Sequence, residues 1–86
     1  MKTVSEFFTL LTLEIDKLYF PDVKYYRDNK HTTKIHYAIE CFNNGVLTYD
    51  KLIHILAKNT KDTKMNIHNI VSKYIEDFEG FEYILK

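Results

Sequence analysis

The chain has 86 residues, no net charge and 45% apolar residues, which is enough for one domain spanning 1–86 and too little for two. A single cysteine, Cys41, excludes an internal disulfide and the stapled scaffolds that depend on one. No run approaches the ~20 apolar residues of a membrane helix, and Glu6, Glu14 and Asp16 break the first apolar stretch where a secretory leader would be uninterrupted, so a soluble, cytoplasmic protein with no membrane contact is expected.

The first element opens on Thr3-Val4-Ser5-Glu6, a capping box with Thr3 as N-cap and Glu6 reaching back to it. Phe7, Leu11, Ile15 and Leu18 repeat at three- and four-residue spacing and predict a helix to about Tyr19, its stripe widened by Phe8, Leu10 and Leu13. Pro21 ends it, because the residue before proline avoids the helical region. Residues 21–34 are the least regular: a short helical turn from Pro21, then a polar loop. A second helix is predicted from Thr32 or Thr33, carrying Ile35, Ala38, Ile39 and Phe42, and Gly45 in Asn43-Asn44-Gly45 stops it in the left-handed conformation.

Thr48 suits the N-cap of a third helix, with Leu47 stapled onto Leu52 and Tyr49, Leu52, Ile53 and Leu56 on its apolar face to about Lys58. A polar turn over 59–63 leads to a fourth helix capped by Asp62 or Thr63, bearing Ile67, Ile70, Val71, Tyr74, Ile75 and Phe78 and closed by Gly80. The tail 81–85 reads as a short strand or a docked arm. The whole predicts an all-α bundle of about four helices with a helix-turn-helix-like C-terminal hairpin and a short tail. Its expected core is Phe7, Leu11, Ile15, Ile35, Ile39, Phe42, Leu52, Ile53, Leu56, Ile67, Ile70, Val71, Tyr74 and Phe78.

Charge is unevenly spread: residues 1–22 carry −2, 23–49 carry +2, 51–73 carry +4 and 74–86 carry −3. A basic middle between acidic ends permits contact with nucleic acid, while the zero total gives no strong drive towards it. The fourth helix presents Lys64, Asn66, His68, Asn69 and Lys73 away from its apolar stripe, and Lys and Asn are the side chains that reach phosphates and adenine edges. The bland alternative is a helical hairpin with a solvated polar face, favoured by the missing glycine in its turn and by Glu76 and Asp77 near its end. The run from Leu52 to Thr60, with Thr63-Lys64 and Ile70-Val71, resembles the helical dimerisation half of bacterial histone-like proteins, although that family's arms and glycine-rich sheet are absent.

Tyr19, Phe20, Tyr25, Tyr26 and Arg27, with Lys24, Lys30, His31 and Lys34 nearby, interleave aromatic and basic residues. Three readings stay open: stacking of single-stranded bases, a protein–protein hot spot, or tyrosines packed on the core with wet hydroxyls. Contacts to a partner fall to Tyr19, Phe20, Tyr25, Tyr26 and Arg27, and contacts to nucleic acid to Lys30, Lys34, Lys64, Asn66, Asn69 and Lys73. His31, His36, His54 and His68 have no metal-ligand spacing, His36 and Cys41 lie on different helical faces, and nothing near Cys41 in sequence would activate it as a nucleophile. No cofactor, metal, small-molecule substrate or catalysis is expected, since two glycines cannot form a phosphate loop and four short helices rarely enclose a pocket.

The segments Leu18–Val23, His36–Tyr49 and Ile67–Ile75 resemble small proteins carried by staphylococcal cassette chromosomes, in particular the middle protein of a replication operon that lies between an A-family DNA polymerase and a helicase. The resemblance covers most of the chain but contains no functional motif, so no catalytic residue carries over. It implies a non-catalytic accessory subunit that binds the polymerase tightly and lets it start primers without a pre-existing end. Two other functions fit a small chain without motifs: a mobile-element or phage inhibitor of a host defence enzyme, of the anti-CRISPR kind, and a helix-turn-helix DNA-binding regulator. The zero net charge speaks against mimicry of DNA by such an inhibitor, and the regulator would need the fourth helix's basic face and a dimer.

Overall fold

A computed structural model describes residues 4–76, with side chains placed for 8–74. Four α-helices follow in order: α1 (Val4–Tyr19), α2 (Lys30–Asn43), α3 (Tyr49–Thr60) and α4 (Lys64–Glu76). One 3-10 turn, Tyr26–Asp28, lies between α1 and α2, and no strand occurs among the described residues. The Thr3–Glu6 box, the side chains of Phe7 and Phe78, Gly80 and the tail 81–85 lie outside what the structure describes.

All four helices feed one core. Leu11, Ile15, Ile35, Ile39, Leu52, Leu56, Ile67 and Val71 are fully enclosed, and Phe8, Ala38, Phe42, Ile53 and Ala57 close around them. Contacts join α2 to α1 and to α3, and α4 to α3 and to α1, so the fourth helix returns to the first and completes a ring of contacts. Ile70 and Tyr74 are half-buried against this core. The buried stripe of α1 runs Phe8, Leu11, Ile15 and then Tyr19, while Leu18 and Leu13 are more than half exposed. The expected placement of Leu18 on that stripe is thereby corrected. Tyr19, one residue on, occupies the inner line because its hydroxyl finds a carboxylate across the bundle.

Helix α2 starts earlier than the threonines suggest. Asn29 is its N-cap, its Oδ1 accepting from the backbone N–H of His31 at 2.8 Å and of Thr32 at 3.2 Å. That satisfies two of the unpaired amides of a helix start. Thr32 is instead enclosed, its hydroxyl donating to the carbonyls of Tyr26 at 2.5 Å and Asn29 at 2.9 Å. At the other end Gly45 takes φ +76°, as expected of a glycine stop. Thr48 caps α3, accepting from Lys51 N–H at 3.3 Å.

Helix α3 continues past Lys58 to Thr60 because Asn59, a residue that usually ends helices, is buried and bonded on both sides. Its amide nitrogen donates to the Ile55 carbonyl at 2.8 Å, and its oxygen lies 3.1 Å from His31 Nδ1 on α2. The turn to α4 shrinks to Lys61–Thr63, with Lys61 in the left-handed region at φ 60°. Thr63 caps α4, accepting from Asn66 N–H at 3.1 Å.

A candidate partner-binding surface

The segment from Phe20 to Asn29 is short and held at several points. Phe20 N–H donates to the Asp16 carbonyl at 2.9 Å, closing α1, and Val23 N–H to the Phe20 carbonyl at 3.1 Å. The Tyr26 carbonyl accepts two hydroxyls, Thr32 at 2.5 Å and Thr33 at 3.0 Å. The Tyr26 ring stacks on His36 with centroids 4.1 Å apart and planes within 12°. His36 Nε2 in turn meets Asp16 Oδ2 at 2.6 Å, so 3-10 turn, α2 and α1 are braced in series. Among the described residues the second oxygen of Asp16 is buried with no partner, which leaves this one bond to compensate the carboxylate.

What this scaffold displays is a small aromatic and cationic ledge. Tyr25 is 61% exposed and Tyr26 39%. The Arg27 guanidinium lies 5.7 Å from the Tyr26 ring centre, and the Lys24 ammonium 5.7 Å from that of Tyr25, both within cation–π range. Together Tyr25, Tyr26, Arg27 and Asp28 line a shallow cleft of about 420 Å³.

Of the five residues expected at a partner surface, the structure brings Tyr25, Tyr26 and Arg27 together and turns the other two inward. Tyr19 donates its hydroxyl to Asp62 Oδ2 at 2.6 Å, tying the end of α1 to the α3–α4 turn. Burial, then this hydrogen bond and the charge of Asp62, push the Tyr19 pKa up to about 12. Asp62 moves the opposite way, its carboxyl held below the ordinary carboxylate value by bonds from Tyr19, Asn66 and the Thr63 amide. Phe20 is half-buried against the core.

The six residues expected to meet nucleic acid are all exposed but do not form one row. Lys30 opens α2, and Lys34 edges a groove between α2 and α3. On α4, Asn69 and Lys73 are one turn apart and share a face. Lys64 lies nine residues before Lys73, which at ~100° per residue places it on the opposite side of the helix. Asn66 is engaged, its side chain donating to Asp62 Oδ1 at 2.8 Å.

Asp16, Asn29, Thr32, Thr33 and His36 were not expected to support this surface, Thr32 and Thr33 being read only as the start of the second helix. Only Asn29, a capping residue two positions before an unpaired helix amide, left a local signal; the pairing of Asp16 with His36 spans twenty residues. Among the described residues no three of His, Cys, Asp and Glu converge on a point that would hold a metal ion, and no helix is long and apolar enough to cross a membrane. A scan of protein-family models, a search of curated proteins and a search of solved structures each gave no match to this chain.

Proposed function

We propose that this protein is a non-catalytic accessory subunit that captures a protein partner through Tyr25, Tyr26 and Arg27, serving mobile-element DNA replication with a DNA polymerase as the partner. The observation that supports the surface is the braced ledge itself. Tyrosine and arginine are the residues that concentrate binding energy at interfaces. Here they stand outside the core on a segment fixed by the Thr32, Thr33 and His36 contacts. A surface already ordered loses little conformational freedom when a partner arrives, so such bracing suits recognition better than it suits a spacer loop. The polymerase as partner rests on the resemblance of Leu18–Val23, His36–Tyr49 and Ile67–Ile75 to the small protein of a cassette-chromosome replication operon.

The test of the surface is the paired substitution Tyr25→Ala and Arg27→Ala. Both side chains lie outside the core, so helical circular dichroism stays unchanged while partner capture falls by at least about tenfold. Tyr26 is left in place because it also supports the fold. Undiminished capture by the doubly substituted protein refutes this surface. An inhibitor of a host defence enzyme would use the same ledge and is separated from the replication reading by which enzyme is retained.

A further inference from the structure

Helices α2 and α3 lie antiparallel: His31 meets Asn59 at one end, and the Phe42 and Tyr49 rings meet edge-on at 6.0 Å at the other. Between these ends the small Ala38 leaves a groove of about 300 Å³ that shares no residue with the Tyr25–Arg27 ledge. Its walls are Tyr37 and Cys41 from α2, Ile55 from α3 and Leu47 from the connecting loop; Lys34 and Lys58 stand on its rim. Tyr37 is 67% exposed, and Val46, whose N–H donates to the Cys41 carbonyl at 2.9 Å, is 76% exposed, so the apolar lining continues onto the open surface.

The geometry points to this groove as a docking site for an amphipathic helical segment of a partner protein whose apolar residues are flanked by carboxylates. The apolar walls accept aliphatic side chains one helical turn apart, the recurring mode in which a helix lies in a groove. The charge on the rim decides the flanks. Both charged residues lining the groove are lysines, and neither is paired with a carboxylate among the described residues. An acidic segment satisfies both ammonium groups as it covers the apolar walls, whereas a basic one brings like charges together at a partly desolvated edge.

Cys41 supplies the readout, being the chain's single cysteine and half-buried in the groove wall. The full-length protein is mixed with a designed peptide carrying leucines at i, i+4 and i+7 between glutamates, or with its counterpart carrying lysines, and alkylation of Cys41 by iodoacetamide is timed. The glutamate peptide slows alkylation at least about fivefold at saturation and the lysine peptide does not. Lys34→Glu with Lys58→Glu reverses that preference, two rim charge pairs together being worth about tenfold. Tyr25→Ala with Arg27→Ala leaves the protection intact, which separates this site from the ledge. Equal slowing by both peptides, no slowing by either, an unchanged preference in the Lys34→Glu, Lys58→Glu protein, or protection given instead by a single-stranded oligonucleotide overturns the proposal.

Discussion

Replacing His36 by alanine tests whether the 20–29 segment is truly braced. The imidazole bonds Asp16 Oδ2 at 2.6 Å and stacks on Tyr26 at 4.1 Å. Without it Asp16, whose other oxygen is buried and unpaired among the described residues, loses the imidazole bond. Leaving a buried acceptor unsatisfied costs about 1–3 kcal/mol, and an aromatic pair adds about 0.5–1.5 kcal/mol beyond the area it buries. Both side chains are partly open to water, at 19% and 25% exposure, which trims the combined loss to roughly 1.5–3 kcal/mol. Against a total stability of about 4–13 kcal/mol for a chain this long, that is readily measured. Urea unfolding followed by far-UV circular dichroism gives the difference, with an unchanged slope showing that the folded state is intact. His36→Phe keeps a ring against Tyr26 but removes the bond to Asp16, so its stability falls between wild type and His36→Ala. A His36→Ala protein within about 0.5 kcal/mol of wild type, or a His36→Phe protein as stable as wild type, refutes the brace.

Two further expectations follow from the packing. Tyr19 is held at a pKa of about 12 by burial and its bond to Asp62, and Tyr49 at about 12 by burial alone, against an ordinary value of 10.0. The folded state thus favours both neutral phenols: their contribution is fully present below pH 10, declines above it and is lost as pH rises through 12. Alkaline unfolding in that window, delayed by Tyr19→Phe with Tyr49→Phe, checks the sign. Lys61 is a non-glycine residue at φ 60° in the turn after α3. Lys61→Gly therefore raises stability by about 0.5–1 kcal/mol in the same urea assay, and a destabilised variant contradicts the assignment.

Much of the fold was legible because apolar spacing is a local signal. Ile35, Ile39 and Phe42, then Leu52, Ile53 and Leu56, then Ile67 and Val71 are buried where the helical period puts them. The errors arose where tertiary contacts outweighed local preference. Thr32 looks like a cap, yet Asn29 takes that role while the Thr32 hydroxyl turns inward to hold the Tyr26 carbonyl. Asn59 looks like a helix breaker until His31 arrives from α2 to bond it. Leu18 falls on the predicted apolar stripe and Tyr19 among the expected partner contacts, but a tyrosine can fill the inner line when an acceptor such as Asp62 waits across the bundle. The ledge was legible only as composition. Aromatic and basic residues were visible in sequence, but which rings face water depends on His36 and Asp16, contributed by two other elements. For the expected nucleic-acid residues the helical period was itself informative: nine residues separate Lys64 from Lys73, which at ~100° per residue sets them on opposite sides of α4.

Affinity capture from nuclease-treated lysate of the native host, with the retained proteins identified by mass spectrometry, decides whether this chain works by holding a protein partner. A DNA polymerase is expected in stoichiometric amount with the wild-type chain and is expected to be lost with Tyr25→Ala and Arg27→Ala. Retention of no protein, together with binding of the wild-type chain to duplex DNA that Lys64→Ala weakens, would contradict it and point to a DNA-binding regulator.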